Sequence, residues 1–145
     1  MKNRSNHCSK LANMYQNHPL NDFYKAKIAI SDKNAVVTLV LKPKFHHAAS
    51  AVHGSVYWKL LDDSAFLAVN SMVEDVFVLT ASFTIYLIRP ITTGTLIAKG
   101  KLANATRSQF IGESILYSDQ EEEIARGTGV YIRSRIPLSP EVGYL

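Results

Sequence analysis

Apolar residues recur along the chain at two different periods, and the switches between them predict the order of elements. Over residues 9–17, Leu11, Met14 and Tyr15 fall at helical spacing and His18-Pro19 ends the run. This predicts a short helix capping the domain. Residues 23–30 and 35–41 are rich in strand formers, and Ser31-Asp32-Lys33-Asn34 between them is a turn signal, so a β-hairpin is expected. After Pro43 comes a polar, histidine-bearing loop. Residues 52–72 then run apolar with no proline and only Gly54, which predicts the main helix. Its Val56, Tyr57, Leu60, Leu61, Phe66, Leu67 and Val69 cover most of the circumference. Such a helix is buried rather than surface-lying, so a sheet must wrap around it.

Strand patterns follow over residues 77–88, 96–104, 110–117 and 124–132. They are separated by Arg89-Pro90 and Thr93-Gly94, by Arg107-Ser108, and by Asp119-Gln120-Glu121-Glu122-Glu123. Short loops between consecutive strands predict a four-stranded antiparallel meander. In the first of these strands Phe77, Leu79, Ala81, Phe83, Ile85 and Leu87 form one apolar row, expected to pack on the helix. The whole reads as an α+β domain: residues 1–22 a helical cap, 23–133 the domain proper, and 134–145, with Pro137 and Pro140, an irregular tail.

Length and charge narrow the function. A chain of 145 residues with 47% hydrophobic and 19% charged residues is one soluble globular domain by composition. The net charge of +4 comes from dispersed Lys and Arg, which argues against nucleic acid while favouring a small anionic ligand. Cys8 is the sole cysteine, so an intrachain disulfide and a thiolate zinc site are excluded. The basic opening residues are followed by no apolar run of signal-peptide length, and no membrane span is legible. A cytoplasmic protein is expected.

Candidate chemistry concentrates in the main helix. His53 and Gly54 stand at its start, where unpaired backbone N–H groups and the positive end of the helix dipole face outward. Such a terminus can hold an oxyanion, and glycine admits a substrate carbonyl close to the backbone; an ordinary helix start is the plain alternative. Asp62 lies mid-helix among Leu60, Leu61, Ala65 and Phe66, where a carboxylate is costly. It either serves as general base or nucleophile, or Asp62 or Asp63 merely pairs with Lys59. At about 100° and 1.5 Å per residue, His53 and Asp62 lie on opposite sides of the helix, roughly 13 Å apart. If both serve one site, they must meet across a subunit interface. His46, His47 and His53 match no metal-ligand spacing, so no metal is expected, and no nucleophile elbow or phosphate-binding loop occurs.

His53-Gly54-Ser55, Leu60, Asp62 and Ala65, followed by Thr84-Ile85-Tyr86-Leu87-Ile88-Arg89-Pro90, resemble the PaaI-like hotdog-fold acyl-CoA thioesterases over residues 23–133. The resemblance implies a curved antiparallel sheet wrapped around a central helix. It also implies hydrolysis of acyl-CoA to free CoA and a carboxylic acid, with Asp62 as base or nucleophile, the Gly54 N–H polarising the carbonyl and His53 orienting the site. CoA would be part of the substrate, with no retained cofactor, and the partners would be copies of the chain in a homodimer or dimer of dimers. Three positions depart from or complicate the family pattern: His47 stands where many relatives carry Asn, Ser55 replaces the second glycine, and Thr80 occupies a place where some relatives have Ser or Thr. Thr80 falls off the apolar row unless the strand bulges. Arg107 and Ser108 match a region that contacts the CoA nucleotide in relatives, although a solvated turn is the simpler reading. The rival functions are a non-catalytic acyl-CoA-binding protein and, ranked lower, a hotdog hydratase or dehydratase, for which the Asp-x-x-x-x-Asn-x-x-His signature is missing.

Overall fold

A computed structural model describes residues 2–145, with side chains from residue 4 onward. The order is α1 (Lys2–Gln16), α2 (Asn21–Tyr24), β1 (Lys27–Ser31), β2 (Asn34–Val40), α3 (Gly54–Asn70), β3 (Val76–Leu87), β4 (Thr95–Ala105), β5 (Gln109–Ser118) and β6 (Glu123–Pro137). Short 3-10 turns lie at Pro43–Phe45 and Pro140–Val142. All strand pairs are antiparallel in one six-stranded sheet that wraps α3, which is the hotdog architecture.

The helix is buried on nearly every side, as its apolar circumference requires. Leu60, Leu61, Ala65, Leu67, Ala68 and Val69 are fully buried against Val37, Leu39, Leu96, Ala98 and Leu116 of the sheet. Two glycines let sheet and helix touch. A Cβ on Gly100 would sit 2.2 Å from the Ser64 backbone, and one on Gly112 would lie 3.1 Å from the Ala65 Cβ. These contacts hold the middle of α3 hard against β4 and β5.

The sheet is not the expected four-strand meander. Its order is β1-β2-β4-β5-β6-β3, so only β4 to β6 meander and β3 pairs with β6 at the far edge. The segment between β3 and β4 crosses the start of α3 instead of turning back. The Ile91 carbonyl accepts from Val52 N–H, the Arg89 carbonyl from the Tyr57 hydroxyl, and the Gly94 carbonyl from Leu41 N–H. A loop of that length suits either a tight return or a crossing, and the helix lying in the sheet's concave face decides for the crossing.

The single apolar row expected on β3 is also wrong. The β3–β6 register shifts between Thr80 and Ser82, leaving Ala81 as a bulge that reverses the strand's side-chain parity. Ahead of the bulge Val78 and Thr80 face α3; beyond it Phe83 and Ile85 pack on the core. Leu79 and Leu87 are exposed.

Both ends of the chain are also more regular than expected. The first helix occupies residues 2–16, well ahead of the expected start at 9. The expected first strand begins only at Lys27 because the buried Asn21 side chain accepts from Ala26 N–H and donates to the Ala26 carbonyl, winding residues 21–24 into α2. Phe23 and Tyr24 there pack on Phe45. The tail is tied down: β6 continues to Pro137, and the buried His7 bridges the Tyr144 hydroxyl at 2.7 Å and the Asn70 carbonyl at 2.8 Å.

Candidate active site

Asp62 is carried into the interior by the third turn of α3 and is buried there. Its Oδ1 accepts from the Thr80 hydroxyl at 2.8 Å and from the Tyr131 hydroxyl at 2.9 Å. The β3 bulge supplies the first donor and the inner row of β6 the second. Oδ2 accepts from no described residue, yet among the described residues no buried side-chain oxygen lacks a partner, so it reaches open space. That space is a cavity of about 270 Å³ lined by Met14, Tyr15, His18, Phe66 and the start of β3. Burial raises the Asp62 pKa above the ordinary carboxylate value, while the two hydroxyl donors pull it back down. The arrangement is a carboxylate held rigidly by one oxygen and offered by the other.

The cation one turn back on the same helix pairs elsewhere. Lys59 pairs with Asp63, one turn along the helix, and its Nζ also donates to the Tyr15 hydroxyl at 2.9 Å. Tyr15 in turn donates to Asp63. Of the two carboxylates that the sequence offers to Lys59, Asp63 is the ion-pair member and Asp62 has hydroxyl partners alone.

At the other end of α3, His53 is the N-cap. Its Nδ1 accepts from Ser55 N–H at 3.0 Å and lies 2.7 Å from the Ser55 hydroxyl. Nδ1 is therefore unprotonated in this arrangement and Nε2 carries the proton. The Gly54 N–H has no acceptor among the described residues. A Cβ at position 54 would meet only a Leu87 methyl at 3.4 Å, an ordinary contact. Packing within the chain thus does not require glycine there. Gly54 lies in a second cavity, of about 350 Å³, with His47, Tyr57, Leu87, Arg89 and Pro90. His47 is exposed, with its ring 6.5 Å from that of His53, and its Nδ1 accepts from Ala49 N–H.

Within one chain Asp62 and Thr80 line one cavity and Gly54 and His47 another, while the His53 ring, 6.5 Å from that of His47, faces a third hollow with Phe23, Phe45 and His46. Arg107 and Ser108 stand in the exposed β4–β5 turn, and Arg107 makes no ion pair with a described residue. Tyr131 was missing from the sequence-derived set. Its signal was the row Ala125, Gly127, Gly129, Tyr131, small residues ending in a tyrosine, whose buried hydroxyl needs a partner.

Residues 49–125 match the sequence profile of the thioesterase superfamily, a span that contains α3, both cavity floors and the sheet from β3 to the start of β6. The chain belongs to the thioesterase superfamily. Its members are thioester hydrolases as a class, and the fold is that of PaaI-like hotdog proteins. The PaaI protein of the E. coli phenylacetic acid degradation operon superposes with a TM-score of 0.85 at 20% identity, over 94% of this chain and 99% of that one. A mutant of the PaaI phenylacetic acid degradation protein from Thermus thermophilus gives a TM-score of 0.73 at 21% identity, covering 81% of this chain and 100% of that one. A mutant thioesterase from Pseudomonas aeruginosa gives 0.78 at 14% identity, covering 89% and 94%. Among curated proteins none matches this superfamily member significantly.

Proposed function

We propose that this chain hydrolyses acyl-CoA thioesters at sites shared between two copies of itself. The observation that carries the proposal is Asp62: a buried carboxylate without a cation, one oxygen fixed by Thr80 and Tyr131 and the other open to a cavity, in a chain of the thioesterase superfamily. Burial raises its pKa, which strengthens it as a base. The carboxylate delivers an oxygen to the thioester carbon, directly or through a water that it deprotonates. The Gly54 N–H stabilises the carbonyl oxygen as it gains charge. The C–S bond then breaks, and CoA leaves as the thiolate and takes up a proton; by the direct route the acyl group is left as a mixed anhydride on Asp62 that a water then hydrolyses, and by either route it departs as the carboxylic acid with one water consumed.

Strand β3 supports sharing between copies. It forms an edge of the sheet, twelve residues long, and exposes Leu79, Tyr86 and Leu87, with Ile88 exposed just beyond its end. Such an edge favours pairing with another strand. Antiparallel pairing of β3 with its own copy about a two-fold axis near its middle sets the Thr80 end of one chain beside the Leu87 end of the other. The Asp62 cavity of one copy would then face the Gly54 cavity of its partner, and a pair of such dimers would complete a tetramer. Arg107 and Ser108, exposed and unpaired, are proposed to contact the nucleotide phosphates.

The test is release of free CoA from a panel of acyl-CoAs, with Asp62→Ala alongside. Turnover by the parent and a loss of about 10²–10⁴-fold in the variant are expected. Binding without CoA release would favour an acyl-CoA-binding protein, for which the Ser55 N–H already spent on His53 is the motivating feature. A hydroxyacyl product from an enoyl thioester would favour a hydratase.

A further inference from the structure

We infer that helix α1 sets the acyl specificity, closing the Asp62 cavity around an uncharged, apolar acyl group of about ten non-hydrogen atoms. The inference rests on the proposed thioesterase reading and names its substrate class. The family-matching span of residues 49–125 supplies Asp62, Asp63, Phe66 and the β3 wall of that cavity. The opposite wall, Met14, Tyr15 and His18, comes from α1 and the turn after it, outside that span. Helix α1 thus contributes a pocket wall that the superfamily profile does not cover.

The α1 wall is built to stay in place. Leu11 is fully buried and Met14 and Tyr15 nearly so. The Tyr15 hydroxyl is clamped between Asp63 and Lys59 on α3, and His18 packs its ring on Tyr15 at a centroid distance of 4.7 Å while its Nδ1 contacts the Tyr15 carbonyl. A wall held by a buried ion pair and a core leucine does not yield to a bulky ligand.

Charge and volume then define the occupant. Half of the lining is Met14, Phe66, Phe77, Val78 and Leu79, its carboxylates are Asp62 and Asp63, and Tyr15, His18 and Thr80 complete it. No Lys or Arg among the described residues lines it, and Lys59 is engaged by Asp63 and Tyr15. An acyl group ending in a carboxylate would lose its hydration and meet like charge, whereas an alkyl or aryl group meets apolar atoms. At the packing density of protein interiors, 270 Å³ holds about ten non-hydrogen atoms.

The experiment measures binding to Asp62→Asn, which needs no turnover, with acetyl-, hexanoyl-, octanoyl-, palmitoyl- and glutaryl-CoA titrated by calorimetry. Octanoyl-CoA is expected to bind at least about tenfold tighter than acetyl-CoA, since each buried methylene adds up to about fourfold. Palmitoyl-CoA and glutaryl-CoA should bind more weakly than octanoyl- and hexanoyl-CoA respectively. Adding Met14→Trp should collapse the octanoyl-to-acetyl ratio towards one, and adding Met14→Ala should move the optimum to longer chains, which decides the matter if the larger side chain prevents folding. Chain-length-independent affinity, a ratio indifferent to residue 14 in a folded protein, or glutaryl-CoA binding as tightly as hexanoyl-CoA would overturn the inference. Chain-length-selective binding in a parent that releases no CoA would instead sink the thioesterase reading and leave the α1 wall standing.

Discussion

The Thr80 hydroxyl lies 2.8 Å from Asp62 Oδ1, on the same oxygen that accepts from Tyr131, so both donors crowd one side of the carboxylate and leave the other side free. Each donor stabilises the charged form and lowers the Asp62 pKa against the upward push of burial. Thr80→Val and Tyr131→Phe each remove one donor, so each should raise that pKa further. The acidic limb of the kcat/KM profile is expected to move to higher pH in either variant and further in both together. At neutral pH each should cost about 10–100-fold in kcat/KM, the value of one hydrogen bond to a charged group. A pH–rate series on all four proteins checks this; unmoved limbs would remove both residues from the site.

The same burial has an opposite sign for stability. Because the folded-state pKa of Asp62 is raised, the folded chain retains this proton to higher pH than the unfolded chain does. The stability linked to it is fully present below the unfolded pKa and is lost as pH rises through the folded value. At neutral pH the ionised carboxylate is a cost. Asp62→Asn, which keeps an acceptor oxygen for Thr80 and Tyr131, should therefore stabilise the fold at pH 7 by about 0.5–2 kcal/mol. The gain should shrink as pH falls to the ordinary carboxylate range, as denaturant titrations at several pH values would reveal.

Sharing of the site between copies makes a prediction about mixtures. Asp62→Asn and Gly54→Val should each be inactive alone. Random reassortment of the two gives half heterodimers, each with one intact site formed by the Asp62 of one chain and the Gly54 of the other, so about a quarter of the parent activity should return. No recovery in mixtures that have exchanged subunits would place each site within one chain.

Lys59 and Asp63 form a pair in which both side chains are largely buried. Removing one partner strands the other, so Lys59→Met or Asp63→Leu alone should cost about 3 kcal/mol. The double variant should lose much less than the sum, because no buried charge is then left unpaired. Urea denaturation of the four proteins closes this cycle. Equal and additive losses would mean that the pair is solvated despite its burial.

Gly100 has no room for a methyl group, its Cβ position lying 2.2 Å from the Ser64 carbonyl carbon and oxygen. Backbone cannot rotate aside as a side chain does. Gly100→Ala should therefore destabilise by about 3 kcal/mol or more and push α3 off the sheet, and with it Asp62 two residues earlier. A thermal midpoint within a few degrees of the parent would contradict the packing described.

What could be read from the sequence, and what could not, divides along a physical line. The central helix was legible because Val56 to Val69 are apolar on all sides, and the strands because their alternation and turn residues are local properties. Asp62 stood out as a charge in an apolar run. Strand order was illegible because residues 88–94 are equally fit to turn back or to cross a helix end. Tyr131 was hidden for the same reason: its partner is 69 residues away, and no local pattern pairs them. Which aspartate Lys59 would choose was undecided by spacing alone, since three and four residues are both in reach; Tyr15, on a different helix, settles it.

The bulge at Ala81 works as a change of phase in a two-beat count. Point substitutions alter which group stands at a beat but cannot change the beat itself. Deleting Ala81 would leave Phe83 and Ile85 where they are and turn the preceding half-strand over, presenting Leu79 to Asp62 and sending Thr80 to the outer face. The thioester-facing carboxylate would then lie beside an apolar side chain, its ordering hydroxyl gone, with no residue of α3 altered.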